Sequence, residues 1–171
     1  MKLLLPLKIV ECLKRELRGR MREIGGVLVG EHIEGETFRI VDISVQLSGG
    51  TAVHFVRDPV KHKAFLDDFF RRTGHDYQRF NYIGEWHSHP RFMPLPSGED
   101  FTTMLELIQD TAVGVNFAVL IIARLRFWSG VQLSATMFRR GCTPEAVEVE
   151  IEGTPAPTPL AFLQRVQQFF R

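Results

Sequence analysis

Apolar residues recur at Ile9, Val10, Leu13 and Leu17, with Lys8, Glu11, Lys14, Arg15 and Arg18 between them. Spacings of three and four put one apolar stripe on a helix, so the pattern predicts a helix over residues 7–21 that is broken by Gly25-Gly26. The period then shortens. "VLVGEHI" and "TFRIVDISV" read as paired strands with "GETF" supplying the turn, and "AVHFVR" (52–57) as another short strand. Pro59 opens a second helix with Val60, Phe65, Phe69 and Phe70 as apolar positions, and Gly74 ends it. "FNYIGEWHSH" (80–89) alternates and is rich in aromatic residues, which predicts a strand. Pro90, Pro94 and Pro96 force a loop, and a helix follows from about residue 97 to about residue 112 on Phe101, Met104, Leu105 and Ile108. "FAVLII" predicts a central strand, and "VQLSATMFRR" and "AVEVEIE" alternate as strands. "GTPAPTP" (153–159) is a proline-rich connector, and "LAFLQRVQQFF" makes a short amphipathic helix within 160–171.

The predicted order is α-β-β-β-α-β-α-β-β-β-α. Strands that follow strands without a helix between them argue for an antiparallel or mixed sheet with helices on its faces, an α/β protein of the α+β kind. The 171 residues suit one domain, 1–171, with the connector and the last helix as its tail. Hydrophobic residues at 44% and charged residues at 24% are ordinary for a soluble globular chain. A net charge of +1 gives no strong field to draw in nucleic acid or an anionic membrane. Lys8 and Glu11 cut the N-terminal apolar run far short of the ~18 residues of a membrane span, and no small-residue cleavage site follows it. Cys12 and Cys142 fit no metal spacing and read as free thiols in a reducing cytoplasm, where we expect the protein to reside.

The densest chemistry lies in "GEWHSHPRFMPLPSGED" (84–100). Residues i and i+2 of a strand leave the same face, so His87 and His89 point together and can share one metal ion. The connection from 90 to 99 brings back Asp100, which can face the strand end from the first turn of a helix begun near Ser97. Two imidazole nitrogens and a carboxylate oxygen make three ligands. Zn²⁺ takes four, and three protein ligands with one place left to water is the pattern of a catalytic zinc site. Hydrolysis also needs a base beside that water, and Glu23 in "REIGGVLVG" is the candidate. Each piece has a plainer reading. His-x-His occurs without metal, Ser97-Gly-Glu-Asp100 is also a capping box, and Glu23 could be a solvated helix-end carboxylate. Cap and ligand roles are compatible, because a helix start can fix the orientation of its own acid. By alternation Glu85 shares the histidines' face, where it could hold an imidazole N–H or point elsewhere, and Trp86 packs on the opposite face. His32, His54, His62 and His75 show no second zinc pattern and read as surface or packed residues.

"EIGGVLVG", "HSHP" and "SGED" together resemble the JAMM (MPN-plus, JAB-domain) zinc metalloproteases. That family's signature is a glutamate, then His-x-His, ten residues and Asp, with Ser three before the Asp. The matching positions are Glu23, His87, His89, Asp100 and Ser97, and Pro90 follows the second histidine as in the family. The resemblance implies an α/β sandwich around a curved sheet, similar to cytidine deaminases. It implies Zn²⁺ on His87, His89 and Asp100, Glu23 as general base and then acid, and Ser97 as donor to the developing oxyanion. It implies cleavage after the C-terminal Gly of a ubiquitin-like protein, whose extended tail can thread a narrow groove and add to a sheet edge. "GEWHSHP" resembles prokaryotic members, which work beside small ubiquitin-like proteins and activating or conjugating enzymes, some in antiphage systems.

A nucleotide deaminase would need Pro-Cys-x-x-Cys, and a helical zincin His-Glu-x-x-His, and the chain has neither. A non-catalytic scaffold like the MPN-minus relatives would have lost ligands that are all present here. Processing of a sulfur-carrier protein stays open as a different substrate for the same chemistry. Phe69-Phe70 and Phe169-Phe170 each offer one ring to the core and one to a partner or dimer contact, or else pack in satellite clusters.

Overall fold

The structure, a computed structural model, describes residues 1–51, 55, 58–126 and 130–153. The expected strand 52–57 falls largely outside the described residues, and the connector and final helix fall almost wholly outside them. The elements are β1 (Lys2–Leu5), α1 (Leu7–Leu17), β2 (Gly25–Glu34), β3 (Thr37–Ile43), α2 (Pro59–Arg72), β4 (Phe80–Ser88), α3 (Gly98–Gln109), β5 (Phe117–Arg126), β6 (Gly130–Arg139), β7 (Glu145–Ala146) and β8 (Glu148–Ile151).

The strands form one mixed sheet in the order β7-β6-β5-β4-β2-β3-β1-β8. β4 lies parallel to β5, and β1 lies parallel to both β3 and β8, while the other pairs are antiparallel. β7 and β8 hold opposite ends of the order, yet only Val147 separates them. Val147 N–H donates to Ala135 O at 2.9 Å, and the next residue, Glu148, donates to Met1 O at 3.4 Å. The sheet therefore curves until its two edges almost meet, and the chain steps across the seam. Near-closure leaves little unpaired edge. The single strand expected over 146–152 is thus two short ones, because Val147 changes partners.

β5 shows why an unbroken apolar run belongs in the middle of this sheet. Val119, Ile121 and Ala123 join the core that includes α1 through Ile9, Leu13 and Leu17. Ala118, Leu120 and Ile122 join the second core, built on Met104, Leu107 and Ile108 of α3. Both faces of the strand are covered, so no polar alternation survives in its sequence. α2 packs on β2 and β4, and its Phe69 is fully buried against Phe80, with Phe70 edge-on to Tyr77.

Two expectations need correction. β1 was not anticipated, because a four-residue apolar run ahead of Pro6 carries no period. α1 ends at Leu17 and not near residue 21, and Gly19 turns the chain away with φ of 73°. Cys12 and Cys142 are free. Among the described residues no helix is long and apolar enough to cross a membrane.

Candidate metal centre

Three separate segments converge at the C-terminal end of β4. His87 sits in β4 opposite Gly25 of β2 and Ile122 of β5. One step past the strand, His89 N–H still donates to Ala123 O at 2.9 Å. The ladder thus extends to hold both histidines on one face, and their Nε2 atoms are 3.2 Å apart. Trp86 faces the other way into the core and donates its Nε1–H to Ser44 O at 2.9 Å.

Asp100 arrives on the first turn of α3. Ser97 is the N-cap: its Oγ accepts Asp100 N–H at 3.2 Å, and Asp100 Oδ2 accepts Ser97 N–H at 2.6 Å. The capping box uses one carboxylate oxygen and aims the other, so that Oδ1 lies 3.2 Å from His87 Nε2. Glu23 comes from the loop between α1 and β2. It is 2% exposed, and its carboxylate lies 3.8 Å from His89 Nε2. Gly25 and Gly26 lie within β2 and do not interrupt it. A Cβ on Gly25 would fall 2.4 Å from Trp86 O, and one on Gly26 2.1 Å from Ser44 O. The pair lets β2 press against its neighbours beside Glu23.

The donor set fits a divalent metal ion. His89 Nδ1 is 3.0 Å from Met93 O, and a carbonyl only accepts, so Nδ1 carries the proton and Nε2 presents a lone pair. Burial pushes His89 below its ordinary value, aided by the neighbouring His87 and opposed by the Met93 carbonyl and by Asp100. Burial by itself would raise the Asp100 carboxyl. The hydrogen bond and charge of His87 and the bonds from Ser97 outweigh it and hold the group at about 2. Ligands about 2.1 Å from a tetrahedral zinc stand about 3.4 Å from one another. His87 Nε2 is 3.2 Å from both His89 Nε2 and Asp100 Oδ1, while His89 Nε2 is 3.9 Å from Asp100 Oδ2, the oxygen that accepts Ser97 N–H. Glu23, His87 and His89 also place one ligand atom each within 4.8 Å of one another, so the two acids flank the histidine pair.

Some contributors were not anticipated. Met93 O orients His89, whereas Glu85 accepts from the Tyr82 hydroxyl at 3.3 Å. Phe55 stacks on the His87 ring at 6.3 Å and 21°. Ser88, between the histidines, points the opposite way and is fully buried. Its Oγ accepts Ile24 N–H at 3.0 Å, and its own N–H donates to Ile24 O at 2.8 Å, which ties the segment carrying Glu23 to β4. No local signal marks this bond, since the partner lies 64 residues away. Ser88→Ala is expected to cost ~1–3 kcal/mol by leaving the buried Ile24 N–H unpaired. Urea unfolding measures this, and an unchanged midpoint would dismiss the clip.

A groove of about 470 Å³ runs beside these groups, lined by Glu23, His89, Phe92, Met93, Leu95 and Ser97. Phe92, Met93 and Leu95 are exposed, and together they make an apolar wall.

The family described as prokaryotic homologs of the JAB domain matches residues 9–135. Over 119 residues the chain is 31% identical to a CD-NTase/cGAS isopeptidase of Vibrio cholerae, covering 68% of this chain and 71% of that one. A CD-NTase/cGAS isopeptidase of Enterobacter hormaechei is 31% identical over 145 residues, 80% of this chain and 72% of that one. The 26S proteasome non-ATPase regulatory subunit 14 of Caenorhabditis elegans is 31% identical over 112 residues, 64% of this chain but 35% of the longer relative. Among solved structures, protein DSY2949 from Desulfitobacterium hafniense superposes with a TM-score of 0.65 at 20% identity, over 89% of this chain and 94% of that one. That likeness concerns the fold.

Proposed function

Because this chain belongs to the prokaryotic JAB-domain family, we propose that it is a zinc-dependent isopeptidase that cuts after the C-terminal Gly of a ubiquitin-like protein. The observation that carries the reading is the convergence of His87, His89, Asp100 and Glu23 from three segments at one strand end. His87, His89 and Asp100 would hold the zinc. When bound, zinc supplies a Lewis acid that polarises the scissile carbonyl and lowers the pKa of water to ~7.

The remaining chemistry belongs to the chain. Glu23 takes a proton from the attacking water and delivers it to the departing amine. Ser97 spends a lone pair of Oγ on the helix cap, and its hydroxyl proton serves as donor to the carbonyl oxygen as charge develops there. The wall of Phe92, Met93 and Leu95 supports an extended tail with small residues at its end, which can reach Glu23 without a side chain filling the groove.

Two relatives are named isopeptidases, which supports an amide bond to a lysine side chain as the one cut. In this reading the protein works in a bacterial ubiquitin-like conjugation system of the antiphage kind, beside its activating and conjugating enzymes.

The test has two stages. Purified protein is expected to hold about one zinc per chain. Glu23→Ala protein is then used to capture conjugates from cells, and the captured conjugate is returned to the wild type with and without a chelator. Release at a Gly–lysine bond that stops on chelation is the expected result. A zinc-loaded wild type that leaves every captured conjugate uncut would end the reading.

A further inference from the structure

The segment after β3 carries Ser44, Gln46 and Ser48 at alternate positions and runs beside the chain around Glu23. Ser44 N–H donates to Val27 O at 3.0 Å, Gln46 N–H to Gly25 O at 2.7 Å, and Glu23 N–H to Thr51 O at 2.7 Å. The backbone of Glu23 is therefore held by a residue that lies beyond Gln46. At Gly50 the two chains are so close that an added Cβ would sit 1.9 Å from Glu23 O.

One side chain bridges Ser48 and Asp58. Gln46 Nε2 donates to Ser48 O at 2.6 Å, and Gln46 Oε1 accepts Asp58 N–H at 2.8 Å. Those backbone partners fix which end of the amide is which. His62, from α2, lies 3.0 Å from the same Oε1 through Nε2. An amide oxygen only accepts, so His62 Nε2 carries the proton and Nδ1 is left to accept the Ser44 hydroxyl at 2.8 Å. Ser44 Oγ in turn accepts Val27 N–H at 2.9 Å.

Gln46 is 4% exposed and His62 3%. Buried polar groups are tolerable when each donor meets an acceptor, and a circuit closed in this way specifies one arrangement. The proposed chemistry uses none of these side chains. Two residues that lie between Ser48 and Asp58 in the chain do bear on it: Thr51 O accepts the amide of Glu23, and Phe55 pairs with Gly50 and stacks on the ring of His87.

We propose that Gln46 and His62 are positioning residues, a clasp that ties Ser48, Asp58 and α2 together and thereby steadies Glu23 and the Phe55–His87 stack. The consequence for catalysis rests on the isopeptidase reading, but the clasp itself does not. It is tested by amide exchange in the full chain, which needs neither substrate nor metal. In Gln46→Ala and His62→Phe, the amides of Glu23 and Asp58 are expected to exchange about tenfold faster, while those of β5 and β6 keep their rates. Gln46→Glu keeps the acceptor for Asp58 and His62 but sets a carboxylate oxygen against Ser48 O. It should show a smaller change at the same two amides, and it decides the matter if the larger substitutions do not fold. With a cleavable conjugate in hand, kcat should fall while KM holds. An unchanged Glu23 amide overturns the clasp, as does acceleration spread evenly through β5 and β6.

Discussion

Glu23→Gln is expected to retain zinc and lose cleavage by ~10²–10⁴-fold, the usual worth of a general base. Glutamine fills the same buried space, so the loop before β2 should keep its place. The amide cannot take a proton from water. Zinc should stay because the 3.2 Å approach of Asp100 to His87 is the shortest between an acid and the histidines, although Glu23 and Asp100 stand alike from His89 at 3.8 and 3.9 Å. The checks are metal content by emission spectroscopy and release of the captured conjugate. Cleavage at the wild-type rate would remove Glu23 as the base. Loss of zinc would move Glu23 into the ligand set, the alternative left open by its grouping with both histidines.

Asp100→Ala is expected to weaken zinc binding by more than about 100-fold, beyond the loss seen when only an outer partner of a ligand is removed. The helix start should survive. Ser97 Oγ still accepts the backbone N–H of residue 100, and only the return bond from Ser97 N–H to the carboxylate is lost. That bond is worth ~1–2 kcal/mol in stability, so unfolding cannot account for an empty site. Unchanged zinc in the purified variant would strike Asp100 from the ligands. Asp100→Asn keeps the shape of the cap and separates charge from geometry, and it should fall between alanine and wild type.

Both predictions rest on residues that were visible in the chain before any coordinates. Two-residue spacing placed His87 and His89 on one face, and their Nε2 atoms do meet. The Ser97–Asp100 spacing read as a capping box, and that box is what turns Asp100 toward His87. Local periods and cap motifs act within a few residues, so they are written in neighbouring letters. The partners that steady these groups are not. Ser88 with Ile24, Met93 O with His89, Gln46 with Ser48, Asp58 and His62, and Phe55 over His87 each depend on where a second segment happens to lie. The helix expected over 160–171, with Phe169-Phe170, lies outside the described residues.

The strand β1 and the split at Val147 show the same limit within the fold. Four apolar residues before a proline have no period until β3 and β8 flank them, and Val147 looks like any strand residue until the sheet closes around it. By itself, the sequence determined most of the described succession of helices and strands, the apolar middle of β5 that is buried from Ala118 to Ala123, and the residue types that meet at the end of β4. Only the tertiary structure decided the curvature that brings the edges together, how the two acids stand about the histidines, and which distant groups pair with the segment around Glu23. The reason is physical: periodicity and capping are short-range and recorded locally, whereas a hydrogen bond across 64 residues exists only after the sheet has chosen its order.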